Sequence, residues 1–172
     1  MEFVERELPG QPIIIEGHSM GAAAAIFAAA EVGDRVAGYI LEAPYRDFRR
    51  AVRNRTARVL PPLLDSIAFA GLVTVAPLVL PDADRIAPID YIDDIPAAIP
   101  VVFLCGSNDA NAQPSEAQEL CDHISSHAHV VLFEGAGHGL PINADRGLFA
   151  ASVLPLLREV NAKATFAVDA EP

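Results

Sequence analysis

The sequence predicts an α/β fold, a parallel sheet with flanking helices, and three observations carry that expectation. Four short runs rich in β-branched and large apolar residues, at 13–15, 36–41, 101–105 and 130–133, are continuously apolar rather than alternating, as strands buried on both faces of a parallel sheet must be. Helical patterns follow most of them. The chain has 172 residues, 52% hydrophobic and 20% charged, a composition that excludes a mainly disordered polypeptide. At about this length folding buries roughly two-thirds of the unfolded surface, so one soluble domain with a real core is expected.

Taken in order, the first strand leads into an Ala-rich helix predicted over 20–31, with small side chains suited to close packing on a sheet and Gly33 placed to end it. A second helix is expected near Ser115, where Ser115 and Gln118 form a capping-box pattern and Ala117, Leu120, Cys121 and Ile124 make one apolar stripe. The last helix is predicted over 144–160, with Phe149, Val153, Leu156, Leu157 and Val160 facing the core and Pro155 kinking it. Residues 46–100 are too long for an ordinary connection and are broken by seven prolines, so they read as an inserted cap of short helices above the carboxyl ends of the strands. The domain reading is therefore a core of residues 1–45 and 101–161, a helical cap at 46–100 and a flexible tail at 162–172.

Charge and composition exclude several function classes. With 12 Lys+Arg against 23 Asp+Glu the net charge is −11, which opposes binding to nucleic acid. Cys105 and Cys121 lie in apolar patterns and read as reduced core thiols, outside any disulfide framework. Residues 1–12 have no signal-peptide core. The longest apolar stretch, 67–80, falls short of the roughly 20 residues that span a bilayer and contains Pro77, so it is expected to be lid or core and not an integral membrane span. The cap opens with Arg46, Arg49, Arg50, Arg53, Arg55 and Arg58, half of all the basic residues. They read as a solvated helix face over buried Phe48 and Val52, the functional alternative being contact with an acidic substrate, a phospholipid or a partner.

The chemistry centres on Gly17-His18-Ser19-Met20-Gly21, a G-x-S-x-G pattern lying between the first strand and its helix. A serine there sits on a tight, strained turn that tolerates only small flanking residues, which accounts for Gly17 and Gly21 and leaves the hydroxyl exposed. The backbone N–H of Met20, at the helix start, can donate to an oxyanion. A serine hydroxyl needs a base, and the base an orienting acid. The third strand runs into Gly106-Ser107-Asn108-Asp109 and the fourth into a glycine-rich loop bearing His138, giving the order Ser19, Asp109, His138. Asp82, Asp84, Asp93 and Asp94 are rival acids. His18 is expected to point away from Ser19 and support the turn. Cys121, His123, His127 and His129 suggest a metal site by residue type, but Cys121 belongs to the apolar helix stripe while His123 and His127 lie on a different face, so none is expected.

These motifs resemble the α/β-hydrolase family, in particular its cap-bearing esterase, lipase and serine-aminopeptidase-like branch, and the stretch Ile40-Leu41-Glu42-Ala43-Pro44-Tyr45 is similar to that family's lead-in to the cap. The resemblance implies Ser19 as nucleophile, His138 as general base and then acid, Asp109 as orienting carboxylate, and no cofactor. It also implies an N-terminal truncation to the C-terminal part of the fold, because family members begin with further strands and carry a second oxyanion donor on an earlier loop. Residues 3–8 then read as the end of a helix, and 13–15 as an exposed apolar edge open to self-association. The expected function is cleavage of an ester, less readily an amide, through an acyl-enzyme, on a small-molecule substrate made hydrophobic by the apolar cap; the alternative is a non-catalytic interaction domain or fragment. The absence of a signal segment points to the cytoplasm.

Overall fold

The computed structural model describes residues 1–169, with side chains through residue 164. A short helix α1 (Glu2–Glu7) precedes β1 (Ile14–His18), which runs into α2 (Met20–Phe27) and, after Ala28 alone, α3 (Ala29–Val32). Gly33, at φ 51°, ends α3 in the left-handed conformation anticipated for it. Then come β2 (Gly38–Glu42), α4 (Phe48–Val59), α5 (Pro62–Val79), three single 3₁₀ turns between Ala83 and Asp94, β3 (Val101–Gly106), α6 (Pro114–His123), β4 (Ala128–Phe133), α7 (Pro141–Ala144) and α8 (Arg146–Asp169).

Among the described residues the sheet has four strands in the order β1-β2-β3-β4, all parallel. Side chains alternate between two cores. Ile15, Tyr39, Leu41, Val101, Phe103 and Cys105 face α2, α3 and α6, whereas Ile14, Ile40, Val102 and Leu104 face α8. Every residue of β2 and β3 is buried, which is why those strands read as continuously apolar. The edges differ: β1 and β4 keep several residues half-buried or exposed.

Three expectations are corrected. The capping box at the start of α6 lies two residues earlier, on Gln113 and Glu116, with the Glu116 carboxylate accepting the Gln113 N–H at 3.2 Å. The reason is Pro114, whose ring pre-sets the first helical residue and holds Gln113 extended. The last helix starts at Arg146 and runs through Pro155 to Asp169, so residues 162–169 are helical where a flexible tail was expected. Ala162, Lys163, Ala164 and Ala167 are good helix formers, and Lys163 pairs with Glu159 at 2.8 Å one turn back. The remainder of the expected tail, 170–172, lies outside the described residues.

The third correction concerns the insertion. On α4 it is Ala51, Asn54 and Thr56 that are buried, while Phe48 and Val52 are only half-buried. Asp47 caps α4, its carboxylate accepting the Arg50 N–H at 2.7 Å. The apolar helix α5 is not core: it packs on α4 and the turn at Ala83–Arg85, and most of its large apolar side chains are exposed.

Candidate active site

Each element ends where a polar side chain is needed. Ser19, immediately beyond β1, has φ 54° and ψ −110°, a strained conformation for a residue with a Cβ, and its N–H donates to the Glu42 carbonyl at 2.8 Å. This pins the turn to the end of β2 while Ser19's own carbonyl accepts the first bond of α2, from Ala23. A Cβ on Gly17 would lie 2.5 Å from the Gly21 carbonyl carbon, so only glycine fits there. The same is not true of Gly21, where a Cβ would meet nothing within 4 Å; the steric demand anticipated for both glycines falls on Gly17 alone.

Beyond β3 the chain turns so that Asp109, 3% exposed, is held by two backbone donors: its Oδ1 accepts the N–H groups of Asn111 at 2.8 Å and Ala112 at 3.0 Å. Its Oδ2 lies 2.7 Å from Nδ1 of His138. A carboxylate only accepts, so the proton sits on Nδ1 and leaves Nε2 with a lone pair. That Nε2 lies 3.0 Å from Oγ of Ser19. The loop carrying His138 is fastened to the loop carrying Asp109, with the Asn108 N–H donating to the Ala136 carbonyl at 2.9 Å and the Gly135 N–H to Ser107 Oγ at 2.9 Å. Gly135, at φ 74°, supplies the bend.

Ser19, Asp109 and His138 thus come together as one hydrogen-bonded chain. The four rival acids do not join it: Asp84 meets Arg49, Asp82 meets Arg85, Asp93 meets His123, and Asp94 is exposed. Met20, the first residue of α2, presents its backbone N–H at a helix start, where no intrahelical acceptor exists, and turns its side chain to solvent. Among the described residues no group of three or more His, Cys, Asp or Glu side chains could hold a metal ion.

Gly106, Glu42 and Glu116 contribute here without having been singled out from sequence, whereas His18 and Cys105 were. A Cβ on Gly106 would come within 2.6 Å of the Gly137 carbonyl oxygen, so the end of β3 is bare to let the His138 loop cross it. His18 does more than support the turn: its ring centroid lies 5.2 Å from that of His138, at 44°. Burial, then repulsion from His138 when that ring is protonated, pushes the His18 imidazole below its ordinary range, so a neutral ring lies against His138. Glu42, 2% exposed at the end of β2, is pushed up to about 7 by burial and then by the neighbouring Glu16 carboxylate. Cys105, one residue before Gly106, is pushed up to about 12 by burial and by Asp109, and is an inert core thiol. Fully buried Glu116 accepts from the Arg46 N–H at 3.0 Å and from the Asn54 amide at 2.5 Å, tying α4 to the segment that follows Asp109. The signal for Glu116 was its place three residues after Gln113 across Pro114.

Two concavities accompany these residues. A groove of about 330 Å³ runs along the His138 loop past Leu140 and Asn143. A larger cavity of about 590 Å³ lies in the insertion, between Arg46, Arg49, Arg50 and Arg53 of its first helical segment and Phe69 of α5, and includes none of Ser19, Asp109 or His138. None of the exposed large apolar residues of α5 lines it.

A model of the alpha/beta hydrolase family matches residues 2–151. Among solved structures, the Pyrococcus furiosus esterase Pf2001 superposes with a TM-score of 0.65 at 20% identity, over 92% of this chain and 58% of that one. A puromycin hydrolase superposes with a TM-score of 0.64 at 18% identity, over 94% of this chain and 24% of that one. The Pyrococcus horikoshii acylaminoacyl peptidase gives 0.61 at 14% identity, over 90% and 25%. The chain therefore spans a little over half of the esterase and about a quarter of the two larger hydrolases. No curated protein matches the sequence.

Proposed function

The chain belongs to the alpha/beta hydrolase family, and on that premise we propose that it is a serine hydrolase that cleaves a small-molecule ester through an acyl-enzyme on Ser19. The observation that carries the reading is the continuous relay from Asp109 Oδ2 through both ring nitrogens of His138 to Ser19 Oγ, at 2.7 Å and 3.0 Å. Ser19 Oγ attacks the acyl carbon as His138 Nε2 takes its proton, and the imidazolium is stabilised by Asp109. The oxyanion forms beside the Met20 N–H at the start of α2. His138 then protonates the leaving alcohol, the ester C–O bond breaks, and the acyl group remains on Ser19. Water, deprotonated by His138, attacks that acyl carbon and releases the acid, returning the proton to Ser19.

The ester preference over an amide rests on the leaving group: an alkoxide can depart with little proton donation, whereas an amide nitrogen must be protonated before its C–N bond breaks. The test is hydrolysis of p-nitrophenyl acetate, butyrate and octanoate by the purified chain. Turnover that falls to the solvent background in Ser19→Ala and His138→Ala supports the reading. Turnover unchanged by Ser19→Ala contradicts it, and a folded chain without turnover returns the alternative, a hydrolase-like interaction domain.

A further inference from the structure

Helix α5 is built inside out. Its one charged side chain, Asp65, is turned inward and buried, where its carboxylate accepts from Thr56 Oγ1 at 2.6 Å and pairs with Arg53 at 3.3 Å. Phe69 also faces inward, beneath the guanidinium of Arg53. The opposite face carries Leu63, Leu64, Ile67, Val75 and Leu78, with Leu63 75% and Leu78 82% exposed. A helix in a water-soluble body places these faces the other way round. The two hydroxyls of the helix do not reach for water: Ser66 donates to the Pro62 carbonyl at 3.0 Å and Thr74 to the Ala70 carbonyl at 2.7 Å, each one turn back on the same helix. The outward surface thus offers neither a charge nor a free side-chain donor, as a hydrocarbon surroundings requires.

Directly behind this helix lies α4, whose segment holds half of the chain's Lys and Arg. Arg49, Arg50 and Arg58 are exposed there, and Arg49 and Arg50 are engaged only in surface ion pairs with Asp84 and Glu119, which exchange readily for other anions. Packed helices sit about 8–10 Å apart, and an interfacial helix buries its apolar face roughly 5–10 Å below the headgroup boundary. With α5 at that depth, the α4 guanidiniums stand level with the phosphates.

We propose that α5 is an interfacial membrane-docking helix, its Leu63, Ile67, Val75 and Leu78 face seated in the acyl boundary of an anionic bilayer and the α4 arginines on the lipid phosphates. The helix lies in the surface rather than crossing it. Its 18 residues, of mean hydropathy 1.8, reach the length and apolarity at which a span becomes conceivable. Yet its inward face is committed to α4 through Asp65, and a span would carry that pairing and the arginines beside it into hydrocarbon. A second copy of the chain is the lesser fit: the outward face of α5 carries none of the Trp, Tyr or Arg anchors that dominate binding between proteins.

The test is flotation of the full chain with vesicles of phosphatidylglycerol and, separately, of phosphatidylcholine. Net charge −11 opposes nonspecific adsorption to the anionic vesicles, so binding there is diagnostic. The expected result is binding to phosphatidylglycerol that is at least ten-fold weaker on phosphatidylcholine, that falls at least ten-fold in Arg49→Glu/Arg50→Glu, and that is lost in Ile67→Asp/Leu78→Asp. Both pairs are surface positions, and circular dichroism verifies that the variants fold. Ser19→Ala should bind as the parent does, which separates this proposal from the hydrolase reading. Absence of vesicle binding, binding insensitive to either double variant, or a dimer in solution that Ile67→Asp/Leu78→Asp dissociates would each overturn it, the last in favour of a second copy. Retention in the bilayer after alkaline carbonate extraction would overturn it in favour of a span.

Discussion

Ser19 holds φ 54° against a cost of about 1–3 kcal/mol, and the bonds that hold it there also aim it, from the Glu42 carbonyl on one side and the first turn of α2 on the other. The Ser19 turn was legible because strand, glycine spacing and helix start coincide in one short stretch, and Asp109 and His138 because each follows an apolar strand directly. What five letters do not report is which glycine is sterically required, since that depends on the backbone packed above it; Gly17 and Gly106 are the crowded ones, and Gly21 is not. Gly106→Ala should therefore displace the His138 loop and cut ester turnover at least 100-fold while leaving the fold detectable by circular dichroism. Asp109→Asn removes the acceptor that fixes the His138 tautomer and should lower turnover by about 10⁴ with substrate affinity little changed. Glu42 makes a pH prediction. Its carboxyl is raised from the ordinary 4.5 to about 7, so between those values the folded chain keeps a proton that the unfolded chain has lost. Stability from this group is full below about pH 4.5 and falls as pH rises through 7, by an amount on the order of 2 kcal/mol. Urea unfolding at pH 5 and pH 8 should show that loss, and Glu42→Gln should abolish it.

At the scale of elements, the buried strands were readable because β2 and β3 have no solvent-facing side and hence no alternation. The capping frame of α6 was misplaced because Ser115 and Gln118 fit the usual capping-box pattern, whereas the box that forms has a glutamine, Gln113, at the cap, set there by the rigid ring of Pro114. The orientation of α5 was illegible for a different reason: a helix apolar on nearly every side carries no periodic signal of which side is buried. Its docking residue is the one charge, Asp65, and sequence places a lone carboxylate in water by default. Glu116 joins the insertion to the body by accepting from Arg46, Asn54 and Gln113. Glu116→Ala removes the acceptor of the Arg46 and Gln113 N–H groups and one of the two acceptors of the Asn54 amide, and should destabilise the chain by about 1–3 kcal/mol in chemical denaturation. Because the same segment contains the Asn111 and Ala112 amides that hold Asp109, it should also slow Ser19 acylation.

For the whole molecule, the arrangement is a sheet covered on one face by α2, α3 and α6 and on the other by α8, with α4 and α5 stacked outward from the carboxyl-end loops. Protection from hydrogen exchange should follow it, with amides of β3 slowest, those of β1 and β4 faster, and those of α5 fastest among the long helices in the absence of lipid. The edge strand β1 pairs only with β2 among the described residues, and such an edge is a pairing surface. Self-association that persists in Ile67→Asp/Leu78→Asp would locate the contact there rather than on α5. The family pattern was legible across nearly the whole chain, whereas how the insertion faces solvent depends on packing that no local pattern encodes. The central claim is a working nucleophile at Ser19, and intact-mass analysis of the chain after exposure to a fluorophosphonate probe tests it most directly. A single phosphonyl adduct, mapped to Ser19 and absent from both Ser19→Ala and His138→Ala, is the predicted result; a folded chain that takes no adduct, or one whose adduct survives Ser19→Ala, would contradict it.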